Sequence, residues 1–181
     1  LVSNVLAARK VFAAMGPEDV CLSFLPLCHV FERMAGHYLM LNVGATIAYA
    51  ESVEKVPENM GEIRPTVMCS VPRLYEKFYA RVLAKVEEDG GLKKAIFHWA
   101  LGVGREASRC RQQGGEPRGL LALKNGIADR LVFRKIRARM GGRLRFFISG
   151  GAPLSREIAE FLHAIGVLIL EGYGLTETST V

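Results

Sequence analysis

Two rhythms of apolar positions alternate along this chain. Val5, Leu6, Val11 and Phe12 recur at helical spacing through residues 3 to 15, and Gly16-Pro17 stops that helix. The next run, Val20-Cys21-Leu22-Ser23-Phe24-Leu25, is too apolar to have a wet face, as in strands of parallel sheets covered on both sides. The alternation then repeats. A helix carrying Val30, Phe31, Met34, Tyr38 and Leu41 closes at Gly44, and Ala45 to Tyr49 is a strand. A short helix follows with Val53, Val56, Met60 and Ile63, Pro57 marking its first turn, before the strand Thr66 to Val71. After Pro72 comes a helix with two apolar rows, Leu74, Phe78, Val82, Val86 and Tyr75, Tyr79, Leu83, ending at Gly90-Gly91. Leu92, Ala95, Ile96, Trp99 and Val103 define another, residues 112 to 117 a loop, and Leu120, Leu123, Ile127 and Leu131 a further helix. Leu144 to Ile148 and Val167 to Leu170 are strands, joined by a helix that Ser155 can cap and Gly166 stops. Strands alternating with helices predict βαβ units, hence an α/β fold with a mostly parallel sheet of about five strands flanked by helices. The soft region 112 to 119 is too short to separate domains.

The polar residues worth attention sit where strands end. The last strand empties into Glu171-Gly172-Tyr173-Gly174-Leu175-Thr176-Glu177-Thr178-Ser179. Carboxyl ends of strands are where open α/β sheets bind ligands. Tyr173 offers a ring to stack on a base, Thr176 and Thr178 hydroxyls can donate to phosphate, and Glu177 can hold a hard cation bridging phosphates. These features suit a magnesium nucleotide, and the same residues also make an ordinary turn. A second tract, Ser149-Gly150-Gly151-Ala152-Pro153-Leu154, likewise follows a strand and leaves room for a planar ligand against bare backbone. His29 follows Pro26 at a third strand end, where a histidine serves either packing or function, and Glu32 and Arg33 can orient it or pair on a solvated face.

Charge and cysteine content narrow the setting. A net charge of +6 favours anionic ligands or surfaces. Cys21, Cys28, Cys69 and Cys110 show no metal-ligand spacing, which reads as buried reduced thiols in the cytoplasm rather than a disulfide framework. No apolar run spans a bilayer and the first residues lack a signal core. The stretch 134–145, with Arg134, Lys135, Arg137, Arg139, Arg143 and Arg145 among apolar residues, is either a solvated helix face or a peripheral contact with the inner face of an anionic membrane. A noncatalytic basic module is the competing class, but no nucleic-acid motif accompanies the charge, and nucleic acid is not an expected partner.

Four ordered motifs carry a family resemblance. Leu25-Pro26-Leu27-Cys28-His29-Val30-Phe31-Glu32-Arg33, Val71-Pro72-Arg73-Leu74-Tyr75-Glu76-Lys77, Gly150-Gly151-Ala152-Pro153-Leu154 and Tyr173-Gly174-Leu175-Thr176-Glu177-Thr178 together resemble the adenylate-forming superfamily, and within it the long-chain fatty acyl-CoA synthetases. The resemblance implies part of the AMP-binding N-terminal domain, acting on a long-chain fatty acid with ATP, Mg2+ and coenzyme A. Residues Gly150, Gly151, Ala152, Pro153, Glu171, Gly172, Tyr173, Gly174, Leu175 and Thr176 would line the nucleotide site. Thr176 would contact the α-phosphate, Glu177 would help hold magnesium, His29 would lie beside the carboxylate of the acid, and Tyr75 would gate the tunnel for the acyl chain. A fatty acyl-AMP ligase that passes its acyl group to a carrier protein shares the adenylation half. The family's phosphate loop is expected before Leu1, and its ribose aspartate and C-terminal lobe beyond Val181, so residues 1–181 are expected to be an internal fragment that does not turn over alone.

Overall fold

The computed structural model describes residues 1–178. Its centre is a five-stranded parallel sheet of β1 (Val20–Ser23), β2 (Thr46–Tyr49), β3 (Val67–Ser70), β4 (Phe146–Ser149) and β5 (Leu168–Glu171), in the spatial order β2-β1-β3-β4-β5. The expected parallel α/β architecture is therefore what forms. Strand order reverses after β2, so the carboxyl ends of β1 and β3 flank the point where the chain changes direction across the sheet.

Helices cover both faces, which explains why the strands are apolar throughout. On one face Leu22, Met68 and Phe147 pack with α3 (Val56–Ile63), α4 (Pro72–Asp89), α5 (Gly91–Gln112) and α8 (Arg156–Ala164). On the other, Cys21, Val67, Cys69, Phe146 and Ile148 meet α1 (Val2–Val11), a π-helical segment Glu32–Tyr38 and its continuation α2 (Leu39–Val43). Successive strand residues thus serve opposite cores. Between α5 and β4 run α6 (Gly119–Ala128), a second π-helical segment Asp129–Phe133 and α7 (Arg134–Ala138).

Several local expectations need correction. The first helix ends at Val11 rather than near residue 15, and Ser155 occupies the N-cap position of α8 without a side-chain capping bond. Of the four cysteines only Cys21 and Cys69 are buried, while Cys28 is exposed and Cys110 half-buried. The cationic stretch 134–145 is not uniformly a solvated face. Arg137 donates to the Ile165 carbonyl at 2.7 Å and pairs with Asp129 at 2.7 Å, and Arg145 grips both Asp19 oxygens at 2.8 and 2.9 Å. No helix among the described residues is long and apolar enough to cross a membrane.

Candidate functional site

The helix after β1 begins where Pro26 and Leu27 turn the chain. The His29 N–H donates to the Pro26 carbonyl at 2.9 Å, and His29 Nδ1 accepts the Phe31 N–H at 3.2 Å, so the ring caps its own helix start and, among the described residues, Nε2 is the ring nitrogen not engaged by that cap. Arg33 Nε donates to the Leu27 carbonyl at 2.9 Å and fixes the same turn. Of the two roles open to Glu32 and Arg33, orienting the histidine ring is one that neither takes. Arg33 braces the loop, and Glu32 turns inward, fully buried, to accept a hydrogen bond from Ser23 Oγ at 2.5 Å. Burial pushes the Glu32 carboxyl up to about 7, against the lowering effect of the Ser23 hydroxyl.

Across the sheet, β4 and β5 end side by side. Gly150 N–H continues the ladder to the Ser70 carbonyl at 3.2 Å, and Gly172 N–H to the Ser149 carbonyl at 2.8 Å. Gly151 then takes a left-handed conformation with φ +84°, which turns the chain back sharply and which a side chain would strain. Both loops leave backbone facing one cavity of about 230 Å3, lined by His29, Val30, Phe31, Gly150, Gly151, Gly172, Gly174, Leu175, Thr176 and Glu177. Three strand ends, far apart in sequence, meet there.

Other expected site residues stand elsewhere. Tyr173 projects outward, 85% exposed, and Ala152 and Pro153 lie exposed beside the cavity. Glu171 accepts a long hydrogen bond, 3.4 Å, from the Leu154 N–H and so ties the two loops together. Tyr75 lies under the sheet edge, 2% exposed, its ring edge-on to Phe147 at 5.1 Å. It forms part of the wall of a separate cavity of about 480 Å3, where Phe24, Met60, Leu74, Phe78 and Phe147 are joined by Glu54, Arg73, Lys77, Arg81 and Arg139. Burial drives the Tyr75 hydroxyl well above its ordinary range despite the nearby hydroxyls of Ser70 and Ser149. None of these three hydroxyls finds a well-formed hydrogen bond among the described residues. Ser179 and the side chain of Thr178 lie outside what the structure describes.

Among the described residues no three metal-ligating side chains converge, so Glu177 is a single carboxylate at its cavity. Magnesium binds through one or two carboxylates plus substrate phosphates, and a lone carboxylate at this cavity fits that pattern. The residues that sequence reasoning passed over are Val30 and Phe31, which form the wall between His29 and the glycine loop. A bulky aromatic matched by a glycine across a sheet edge leaves no periodic signal.

The glycine-lined cavity at the carboxyl edge of a parallel sheet accords with the comparison against known families, in which residues 1–181 match the AMP-binding enzyme model. The chain belongs to that family. It is 40% identical over 185 residues to long chain acyl-CoA synthetase 6, peroxisomal, of Arabidopsis thaliana, covering 100% of this chain and 24% of that protein. Fatty acyl-CoA synthetase A of Dictyostelium discoideum is 38% identical over 181 residues, covering 98% of this chain and 25% of the relative. The chain thus spans about a quarter of the length of these relatives. Among solved structures, the adenylation domain of a carboxylate reductase from Mycobacterium chelonae superposes with TM-score 0.59 at 26% identity, over 87% of this chain and 20% of that one. ATP-bound MatB from Rhodopseudomonas palustris shares the fold with TM-score 0.59 at 21% identity, over 99% of this chain and 25% of that one. The comparison also corrects the cytoplasmic expectation: synthetases 6 and 7 of Arabidopsis, 40% and 38% identical, are both peroxisomal.

Proposed function

We propose that this chain provides part of the adenylation site of a long-chain fatty acid–CoA ligase. In this reading the carboxylate of the acid attacks the α-phosphorus of ATP, forming the acyl adenylate and releasing pyrophosphate. The thiol of coenzyme A then attacks the acyl carbonyl and AMP leaves. The observation that carries the reading is the meeting of His29, the Gly150-Gly151 turn and the Gly172 to Glu177 loop around one cavity at the sheet's carboxyl edge. The family match over residues 1–181 and the acyl-CoA synthetase relatives support it.

Each residue's task follows from what it can offer. The bare backbone of Gly150, Gly151, Gly172 and Gly174 admits a flat ligand close to the main chain, with Ala152, Pro153 and Leu175 at its margin. Tyr173, free at the surface, stacks on the adenine. Thr176 donates its hydroxyl to the α-phosphate, and His29, its Nδ1 already engaged, presents Nε2 to the acid's carboxylate. Glu177 would hold magnesium, which when bound neutralises phosphate charge. Glu171 sets the spacing of the two loops through Leu154. Holding two anions in line contributes on the order of 7 to 11 kcal/mol to the barrier reduction, and neither reactant needs a general base because the carboxylate is already ionised. The apolar part of the cavity at Tyr75, between Phe24, Met60, Leu74 and Phe78, suits the acyl chain, with the Tyr75 ring as its gate. The exposed Arg134, Lys135, Arg139 and Arg143 suit contact with an anionic lipid surface.

The likeness to a carboxylate reductase's adenylation domain bears on the adenylation half alone, so one second reading stays open, in which adenylation is the same and a carrier-protein thiol replaces coenzyme A. Palmitate-dependent ATP consumption by the full-length protein, with and without coenzyme A, separates the two. Palmitoyl-CoA formed only with coenzyme A, and reduced at least tenfold by Glu177→Ala, supports the ligase and the role of Glu177. Acyl-AMP accumulating without thioester moves the assignment to the carrier-protein ligase, and absence of acid-dependent turnover overturns both. Residues 1–181 alone are expected to form no acyl-AMP, as a mass-spectrometric assay with ATP, magnesium and palmitate would check.

A further inference from the structure

Glu32 is the one carboxylate among the described residues that is wholly buried without an ion-pair partner, and the reaction outlined above has no use for it. Leaving such a group inside the molecule is costly wherever its hydrogen-bonding capacity goes unmet. Its Oε1 accepts from Ser23 Oγ, at the last residue of β1, while Oε2 has no hydrogen-bond partner among the described residues. A side chain at Gly36, one turn on, would bring Cβ within 2.5 Å of the carboxyl, so the glycine is what lets Glu32 fold in under its own helix. That helix is π-wound from Glu32 to Tyr38, an arrangement frequent at functional sites.

The residue before Glu32 meets the opposite loop. Phe31 is 5% exposed, and a Cβ placed on Gly150 would lie 3.0 Å from its ring. Phe31 therefore fills the space that Gly150 leaves, and both line the cavity that contains His29. Glu32 is bonded to the strand end on one side and joined covalently to Phe31 on the other. A shift in where Glu32 sits moves Phe31, and with it the separation between the histidine turn and the glycine loop.

We propose that Glu32 is a positioning residue for this site, clamping the start of its helix to Ser23 so that Phe31 seats against Gly150 and holds His29 at a set distance from the Gly150-Gly151 turn. The inference rests on the function proposed above only for its kinetic readout. Glutamine can accept the same Ser23 bond, whereas methionine fills similar volume and cannot, so Glu32→Gln and Glu32→Met separate the hydrogen bond from packing.

The test uses the full-length protein and two independent measurements. Amide hydrogen exchange is expected to quicken at least tenfold at residues 29–31 and 150–151 in Glu32→Met, to stay within about twofold in Glu32→Gln, and to be unchanged in α5. Palmitate-dependent pyrophosphate release is expected to show KM for the acid raised at least fivefold in Glu32→Met and restored in Glu32→Gln. Ser23→Ala, which removes the donor and keeps the carboxyl, is expected to resemble Glu32→Met in both. Unchanged exchange at the two loops in Glu32→Met overturns the proposal, as does exchange that quickens equally throughout the chain, or a KM for ATP and acid that rise together. If the wild-type protein releases no pyrophosphate, the proposed function has failed, while the exchange measurement still decides the role of Glu32.

Discussion

Two buried carboxylates, Asp19 just before β1 and Glu32 bonded to its last residue, respond to pH in opposite directions. Burial alone pushes the Asp19 carboxyl up, but the Thr66 hydroxyl, the Gly16 N–H and Arg145 together hold it below its ordinary value. Its contribution to stability is present above about pH 4, the unfolded value, and is lost as pH falls further. Asp19→Asn is expected to cost about 1 to 3 kcal/mol near neutral pH and to flatten the acid side of the stability profile, as urea denaturation at several pH values would check. Glu32 behaves the other way. Its folded value, about 7, lies above the unfolded 4.5, so the native state keeps a proton that the unfolded chain has released. Stability linked to Glu32 is full below about pH 4.5 and declines as pH rises through 7, by at most on the order of 3 kcal/mol. Glu32→Gln is expected to abolish that decline in the same titration. At this scale the sequence is least legible. Glu32 followed by Arg33 looks like a solvated pair, and only the turn of the helix decides that one goes in and the other out.

Helices illustrate how packing partners, rather than residue type, set the effect of a change. Gly102 and Gly104 both lie in α5, yet a Cβ at Gly102 meets open space while one at Gly104 would come within 2.6 Å of the Ala164 carbonyl and 2.8 Å of the Phe133 ring. Gly102→Ala is expected to stabilise by about 0.5 to 1 kcal/mol, since alanine restricts the unfolded chain and favours the helix. Gly104→Ala is expected to destabilise by about 1 to 3 kcal/mol because helix α8 and the second π segment must give way. Thermal or urea midpoints of the two variants, side by side, test the pair. The cationic stretch divides in the same manner. Arg137 serves the end of α8 and Arg145 serves β1, so neutralising either is expected to lower the denaturation midpoint. Charge reversal at exposed Lys135 and Arg139 is expected to leave the unfolding free energy within about 0.5 kcal/mol of wild type. In the full-length protein it is expected to weaken binding to anionic vesicles, measured by sedimentation at two salt concentrations.

Over the whole molecule, the placement of the site follows from the sheet. A parallel sheet puts every strand's carboxyl end on one edge, so residues near 29, 150 and 175 converge although more than a hundred positions separate the first from the others. The apolar runs, the glycine punctuation and the alternation of helix with strand determined the class of fold and the strand count, because burial on both faces demands continuous apolar strands and leaves a strong local signal. The ordered motifs likewise determined the family, since each lies within a few consecutive residues. Tertiary structure alone decided the strand order, the inward turn of Glu32, the seating of Phe31 against Gly150 and the division between the His29 cavity and the Tyr75 cavity. Those outcomes depend on which side chains from distant segments compete for the same space, and a pattern along the chain carries no record of that competition.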